Sequence, residues 1–273
     1  MARPEPAPTQ QGWAQRYGEL LQASELDRET VLAGALQAAS QERRGLFSLA
    51  QCLETPELLA SQIQADYPGA GNQRDVRTYA SVLQQDLALN VIAPLTLRLF
   101  RHEQAPLPDP TRIFLGPTDQ PGQTTSRWFL TPGQQPVNEA DFIEGMADYT
   151  RQWYPVFRQQ LGVSPGAYWS NVGLGLGAPF SVVWNLAEPA ALCELAQQWL
   201  EQFNNEADRF IDWIPAVFGE QETALPQRKG CCLKYRLPGG KYCGTCGVYR
   251  KERLRSLSQQ NQNPAPGQWQ PGQ

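Results

Sequence analysis

Four cysteines near the C-terminal end, Cys231, Cys232, Cys243 and Cys246, are spaced C-C-x10-C-x2-C, and the spacing forces sixteen residues to fold back around one centre. Cys243-Gly244-Thr245-Cys246 is a chelating turn: two small, turn-tolerant residues let both sulfurs reach the same metal. The vicinal pair is less usual. Neighbouring side chains point to opposite sides of an extended backbone, so Cys231 and Cys232 converge only where the chain kinks, and Gly230 just before them could permit it. One zinc ion is better served by a second C-x2-C. Two sulfide-bridged irons form a longer target, with the vicinal pair at one end and Cys243 and Cys246 at the other, supplying the four thiolates of a [2Fe-2S] cluster. The spacing is not that of plant-type ferredoxins. A structural zinc knuckle is the alternative, since ligand softness overlaps between the two kinds of site. Disulfides are disfavoured by the geometry of adjacent cysteines and by the absence of an apolar export segment in residues 1–10.

Taken with the length of the chain, the run resembles the FhuF-like siderophore ferric reductases. The resemblance is confined mainly to residues 230–247, with a looser likeness upstream in a mostly helical body and a Trp169-Ser170-Asn171 segment to which no role is carried over. It implies that Cys231, Cys232, Cys243 and Cys246 hold a [2Fe-2S] cluster that passes one electron to siderophore-bound iron. It further implies an enzyme that releases Fe(II) from a ferric siderophore such as a hydroxamate, supplied by an external donor such as a ferredoxin or flavin reductase. One departure is Gly247, where the family often has proline; glycine loosens the turn without removing a ligand.

The net charge of −4 hides an asymmetry. Residues 228–255 hold nine basic residues against Glu252 alone, leaving 14 basic and 26 acidic residues for the rest. Cations beside an anionic cluster favour its reduced form and attract an acidic donor or an anionic chelate. Lys234, Arg236, Lys241 and Arg250 are the candidate substrate or donor contacts. A solvated basic helix is the plainer reading. Tyr235, Tyr242 and Tyr249 interleave with the basic residues as in nucleic-acid binders, but the acidic remainder argues against a phosphate-tracking surface.

Apolar residues recur at helical spacing in three windows. They are Val76 to Val91, which Pro94 should end or kink; Phe142 to Phe157, capped by Asn138; and Leu192 to Phe203. Ser164-Pro165 caps a further helix carrying Trp169. Residues 105–136 contain seven prolines. There the runs 112–115 and 127–130 make a small hairpin, either an irregular cover for the core or a lid. Leu233, Tyr235 and Leu237 alternate before Pro238-Gly239-Gly240, as in a second hairpin, and a short basic helix follows to about Ser258.

The fold expected is mainly α with a small β-hairpin insertion. A disordered stretch, 1–12, precedes a helical siderophore-binding domain, 13–226; a [2Fe-2S] module, 227–258, and a disordered tail, 259–273, complete the chain. Gly173, Gly175 and Gly177 do not form a dinucleotide fingerprint and read as close packing. No P-loop is present, so reducing electrons come from another protein. His102 is the only histidine, which excludes a histidine zinc site, a serine triad and a Rieske-type centre. Cys52 and Cys193 read as core residues. No apolar run reaches the ~20 residues of a membrane span, and a cytoplasmic location is expected. Other readings of the same residues are a non-enzymatic helical adaptor stapled by zinc, and an Fe–S electron carrier or sensor that binds no siderophore.

Overall fold

Helical periodicity and proline placement together organise the body of the chain. The computed structural model describes residues 11–36, 45–68, 73–117, 126–218, 221–237 and 239–249, and these are mainly helical. The helices are α1 (Trp13–Ala23), α2 (Arg28–Leu36), α3 (Leu49–Glu54), α4 (Glu57–Asp66), α5 (Gln73–Leu87), α6 (Ala93–His102), α7 (Glu139–Pro155), α8 (Pro165–Leu176), α9 (Ala178–Val182), α10 (Pro189–Glu201) and α11 (Ala207–Phe210). Short strands β1 (Phe47–Ser48), β2 (Gln104–Ala105), β3 (Ile113–Pro117), β4 (Ser126–Leu130) and β5 (Val137–Asn138) lie between them, and β6 (Ile211–Phe218) and β7 (Gln221–Arg228) follow α11. No helix among the described residues is long and apolar enough to cross a membrane.

The predicted caps are present. Asn138 accepts a hydrogen bond from the Asp141 amide at 3.0 Å, and Ser164 accepts from the Ala167 amide at 3.2 Å, each satisfying a donor that the first helical turn leaves free. Proline acts differently from a simple stop. Pro94 sits in the first turn of α6, directly after a π-helical turn, Ala88–Ile92, through which α5 continues. Pro155 ends α7 beside a second π-turn, Val156–Gln160. In both places the missing N–H is absorbed by widening one turn, so the chain stays helical past Pro94, where an end or a kink is expected, and the Phe142 to Phe157 stripe runs through Pro155 as its spacing predicts.

At the centre lies α8. Every residue from Ala167 to Leu176 is buried, and α5, α6, α9, α11 and β6 pack around it. A helix enclosed on all sides needs small residues where its neighbours come closest, and the three glycines supply them. A Cβ on Gly173 would meet Ile211 at 2.9 Å, one on Gly175 the Ala88 carbonyl at 2.8 Å, and one on Gly177 the Trp213 ring at 2.9 Å. Beside it, Trp13, Tyr17, Phe100, Phe180, Trp199 and Phe203 form an edge-to-face aromatic cluster. Trp199 also donates to the Leu176 carbonyl at 2.8 Å. Truncating a buried tryptophan of this kind costs about 3–5 kcal/mol. Cys52 and Cys193 are buried core residues, and burial pushes both thiols up to about 12.

The hairpin predicted at 112–115 and 127–130 is β3–β4, in register Ile113↔Leu130 and Leu115↔Trp128, with β1 added along its edge. Asp86 of α5 pins it to the core by accepting from the Trp128 amide at 2.8 Å and from the Arg127 guanidinium at 3.0 Å. The longest strand pair, β6–β7, was not anticipated. It runs in register from Ile211↔Arg228 to Phe218↔Gln221, carries Pro215 and Pro226, and delivers the chain to the cysteines.

Burial is the largest influence on Asp86 and raises its pKa above the ordinary 3.8, against the lowering effect of the Trp128 amide and of Arg127. A carboxyl raised on folding binds its proton more tightly in the native state, so its favourable contribution is full below its unfolded value and is lost as pH rises through the folded one. As pH rises above about 4 the wild-type melting temperature should therefore fall relative to that of Asp86→Asn, until the folded-state carboxyl has ionised. Parallel melting curves for the two proteins across that range would contradict the assignment.

Candidate metal centre

The end of β7 sets the position of the first cysteine pair. The Arg228 amide donates to the Thr245 carbonyl at 3.2 Å, and the Lys229 amide to the Phe210 carbonyl at 2.9 Å, so the strand end is tied to the C-x2-C turn and to α11 together. Gln227 completes the tie, its side-chain amide donating to the Arg228 and Cys246 carbonyls at 2.9 and 3.2 Å. The turn itself closes through the Cys246 amide on the Cys243 carbonyl at 3.0 Å. All four thiols are thereby brought to one end of α8.

Gly230 works by close approach and not by the kink expected of it. Its Cα lies so near the first turn of α8 that a Cβ would overlap the Gly166 carbonyl. Gly247 packs on the other side of the same peptide, where a Cβ would stand 2.7 Å from the Gly230 carbonyl. A glycine at this position fits that contact. The sharp bend comes one residue after the vicinal pair, at Leu233, whose φ of 64° is in the left-handed region. A 3-10 turn, Lys234–Arg236, follows, so Leu233, Tyr235 and Leu237 do not form a strand and the second predicted hairpin is absent. Alternation misleads here because the backbone reverses at Leu233, directly after the vicinal pair.

Each half of the motif contributes one inner and one outer thiol. Cys232 and Cys246 are buried, whereas Cys231 and Cys243 are half-buried. Cys232 accepts hydrogen bonds from the Cys231 and Cys243 thiols, which, with the charge of Arg228, hold its pKa well below the usual range. The same bonds, helped by burial, push Cys231 and Cys243 up. The Leu233 amide points at the Cys231 sulfur at 3.4 Å and the Thr245 hydroxyl at the Cys243 sulfur at 3.8 Å. Cys232 thus links Cys231 and Cys243, and no three His, Cys, Asp or Glu side chains among the described residues form a group that could hold a metal ion. His102 is exposed at the far end of α6 and takes no part.

The basic residues separate into three kinds. Lys234, Arg236 and Lys241 are exposed around the thiols, beside the stacked rings of Tyr235 and Tyr242, whose centroids are 4.5 Å apart. Arg250 and the predicted basic helix beyond it lie outside the described residues. Lys229 is paired with Asp212 at 2.7 Å. Arg228 is completely buried, and charge counting had treated it as one surface cation among nine. Its Nε donates to Ser170 Oγ at 3.2 Å, one terminal nitrogen donates to Asn171 Oδ1, and the other has no partner among the described residues. The Trp169-Ser170-Asn171 segment therefore meets the cysteine module through its two polar residues, which sequence reasoning had left without a role.

This donor set fits a [2Fe-2S] group. Four thiols without histidine match its ligand requirement, and a buried cation with a free N–H suits an anionic occupant. Replacing Gly230 by alanine should lift the module off α8 and cost about 3 kcal/mol. Gly244→Ala, with nothing within 4 Å of its new methyl, should stay within about 0.5 kcal/mol of wild type. Denaturant titration of the two variants checks the pair, and equal stabilities would show that the contact is not tight.

Comparison with known proteins converges on the same segment. Residues 228–246 match the model of the FhuF 2Fe-2S C-terminal domain, beginning at the buried arginine and ending at the last cysteine. No curated protein matches the chain. The chain thus carries a C-terminal iron–sulfur domain of the FhuF type, with a [2Fe-2S] cluster as its cofactor, and the likeness to that family lies in residues 228–246.

Proposed function

We propose that Cys231, Cys232, Cys243 and Cys246 ligate the cluster and that the protein is a cytoplasmic ferric-siderophore reductase. The observation that carries this reading is the match of residues 228–246 to the FhuF 2Fe-2S domain, on a segment where Cys231 and Cys243 are half-buried and Lys234, Arg236 and Lys241 are exposed. A bound [2Fe-2S] cluster supplies one-electron exchange. In the balanced reaction, one electron from an external donor, such as a ferredoxin or flavin reductase, converts siderophore-bound Fe(III) to Fe(II). The ligand itself is unchanged. Hard oxygen donors hold Fe(II) far less tightly than Fe(III), so the iron is released.

The side chains of this chain have two tasks in such a reaction. The thiols hold the redox group near the surface, and Lys234, Arg236 and Lys241, with Arg250 further on, draw in an anionic chelate or an acidic donor. Residues 13–226 would provide the body on which the siderophore rests, next to the module of residues 227–258.

Anaerobically purified protein should be reddish-brown, bleach on reduction, and release Fe(II) from a ferric hydroxamate to a ferrous chelator. Cys243→Ser should lose both colour and release; undiminished reduction by that variant would refute the ligand assignment. Wild-type protein that cycles its colour but shows no saturable binding of ferric hydroxamate would make it an electron carrier and overturn the siderophore reading. Joint replacement of Lys234, Arg236 and Lys241 by alanine should lower the second-order rate with an anionic ferric chelate about tenfold at low ionic strength. That gap should close as salt is added.

A further inference from the structure

Arg228 is in an unusual electrostatic position. Its guanidinium is completely buried, yet the two groups it bonds, Ser170 Oγ and Asn171 Oδ1, are both neutral. None of the ion pairs among the described residues includes it. Its second terminal nitrogen has no acceptor among the described residues. A charge removed from water is normally matched by an opposite charge nearby, because its lost hydration has no other compensation.

The support around it is built to hold position. Asn171 is itself buried, and its amide nitrogen donates to Gln84 Oε1 at 2.5 Å and to the Ser81 carbonyl at 3.5 Å, which turns its oxygen toward the arginine. Ser170 and Asn171 belong to α8, the most enclosed helix of the fold, and the Arg228 backbone is bonded to Thr245 inside the C-x2-C turn. The guanidinium is therefore held by a rigid backing, on a residue whose own backbone is bonded to the turn between Cys243 and Cys246 and lies three positions before Cys231.

Four thiolates, two sulfides and two ferric ions make a dianion, and taking up one electron makes it a trianion. We propose that Arg228, fixed by Ser170 and Asn171, is the internal counter-ion of the cluster: a positioning residue that stabilises the more negative, reduced state and so raises the reduction potential. Exposed Lys234, Arg236 and Lys241 act through water and are screened by salt, and Lys229 is matched by Asp212. Arg228 has neither weakness. The inference depends on the cofactor and its thiolates and is independent of what the reduced protein acts upon.

The test is a potentiometric titration of the purified holoprotein, following the visible spectrum and the paramagnetic signal of the reduced form, with iron and sulfide content measured in every sample. Arg228→Gln removes the charge. Asn171→Asp keeps the guanidinium and sets a carboxylate against it, with the Gln84 amide able to turn over and donate. In both, the equilibrium constant for one-electron reduction should fall about tenfold, a drop of about 59 mV. Arg228→Lys should stay closer to wild type than Arg228→Gln. A fully loaded Arg228→Gln or Asn171→Asp protein with the wild-type potential would overturn the proposal. If Arg228→Gln does not fold, Asn171→Asp alone decides, and if neither variant yields folded, loaded protein the arginine's role is structural and the proposal fails. Failure of the reductase reading would look different: a wild-type protein of normal potential that leaves ferric hydroxamate unreduced.

Discussion

The contact on which the molecule depends is the seating of the cysteine module against the N-terminal half of α8. Two features make it. Gly230 allows backbone to meet backbone at Gly166, and Arg228 sends its side chain past that junction to Ser170 and Asn171. Each would be unfavourable alone: a bare glycine peptide offers little apolar area, and a buried guanidinium loses its hydration. Together they place a charged group in a dry position where no described residue forms an ion pair with it, close in the chain to the thiols of a [2Fe-2S] domain.

That seating is rigid because α8 is. Helices α5, α6, α9 and α11 and strand β6 enclose it, three glycines let them approach, and an aromatic cluster fills the space alongside. A helix exposed on one face could roll or fray by small amounts, whereas one buried on every face cannot shift without opening cavities in close-packed surroundings. The large helical body therefore contributes to the metal centre by holding two side chains, Ser170 and Asn171, at a fixed place. The proline-linked π-turns belong to the same logic, since one of them, Ala88–Ile92, forms the wall against which Gly175 packs.

Four helices were legible from local signals, the apolar stripes of α5, α7 and α10 and the caps Asn138 on Asp141 and Ser164 on Ala167, whereas α1 to α4, α6, α9 and α11 were not anticipated. Strands β6 and β7 were hidden for two reasons. Pro215 and Pro226 argue against a strand by the usual rules, and residues 223–228 of β7 are buried consecutively, so the alternation that marks a half-exposed strand never develops. In the cysteine segment the reverse occurred. Leu233, Tyr235 and Leu237 alternate by chance in a stretch that the metal-binding requirement bends at Leu233.

The order of residues determined the ligand set by itself: four thiols at C-C-x10-C-x2-C, without a second histidine to offer another chemistry, specify a sulfur-bound metal group whatever the fold around them. Tertiary structure alone decided the electrostatics. Nine basic residues between 228 and 255 count equally in a charge sum, but Arg228 is buried, Lys229 is paired, and Lys234, Arg236 and Lys241 face water. The partners that make Arg228 different lie 58 and 57 positions away in the chain. Local pattern reports the chemistry a residue can do, while the strength of a charge depends on the medium around it, and that medium is assembled from segments distant in sequence.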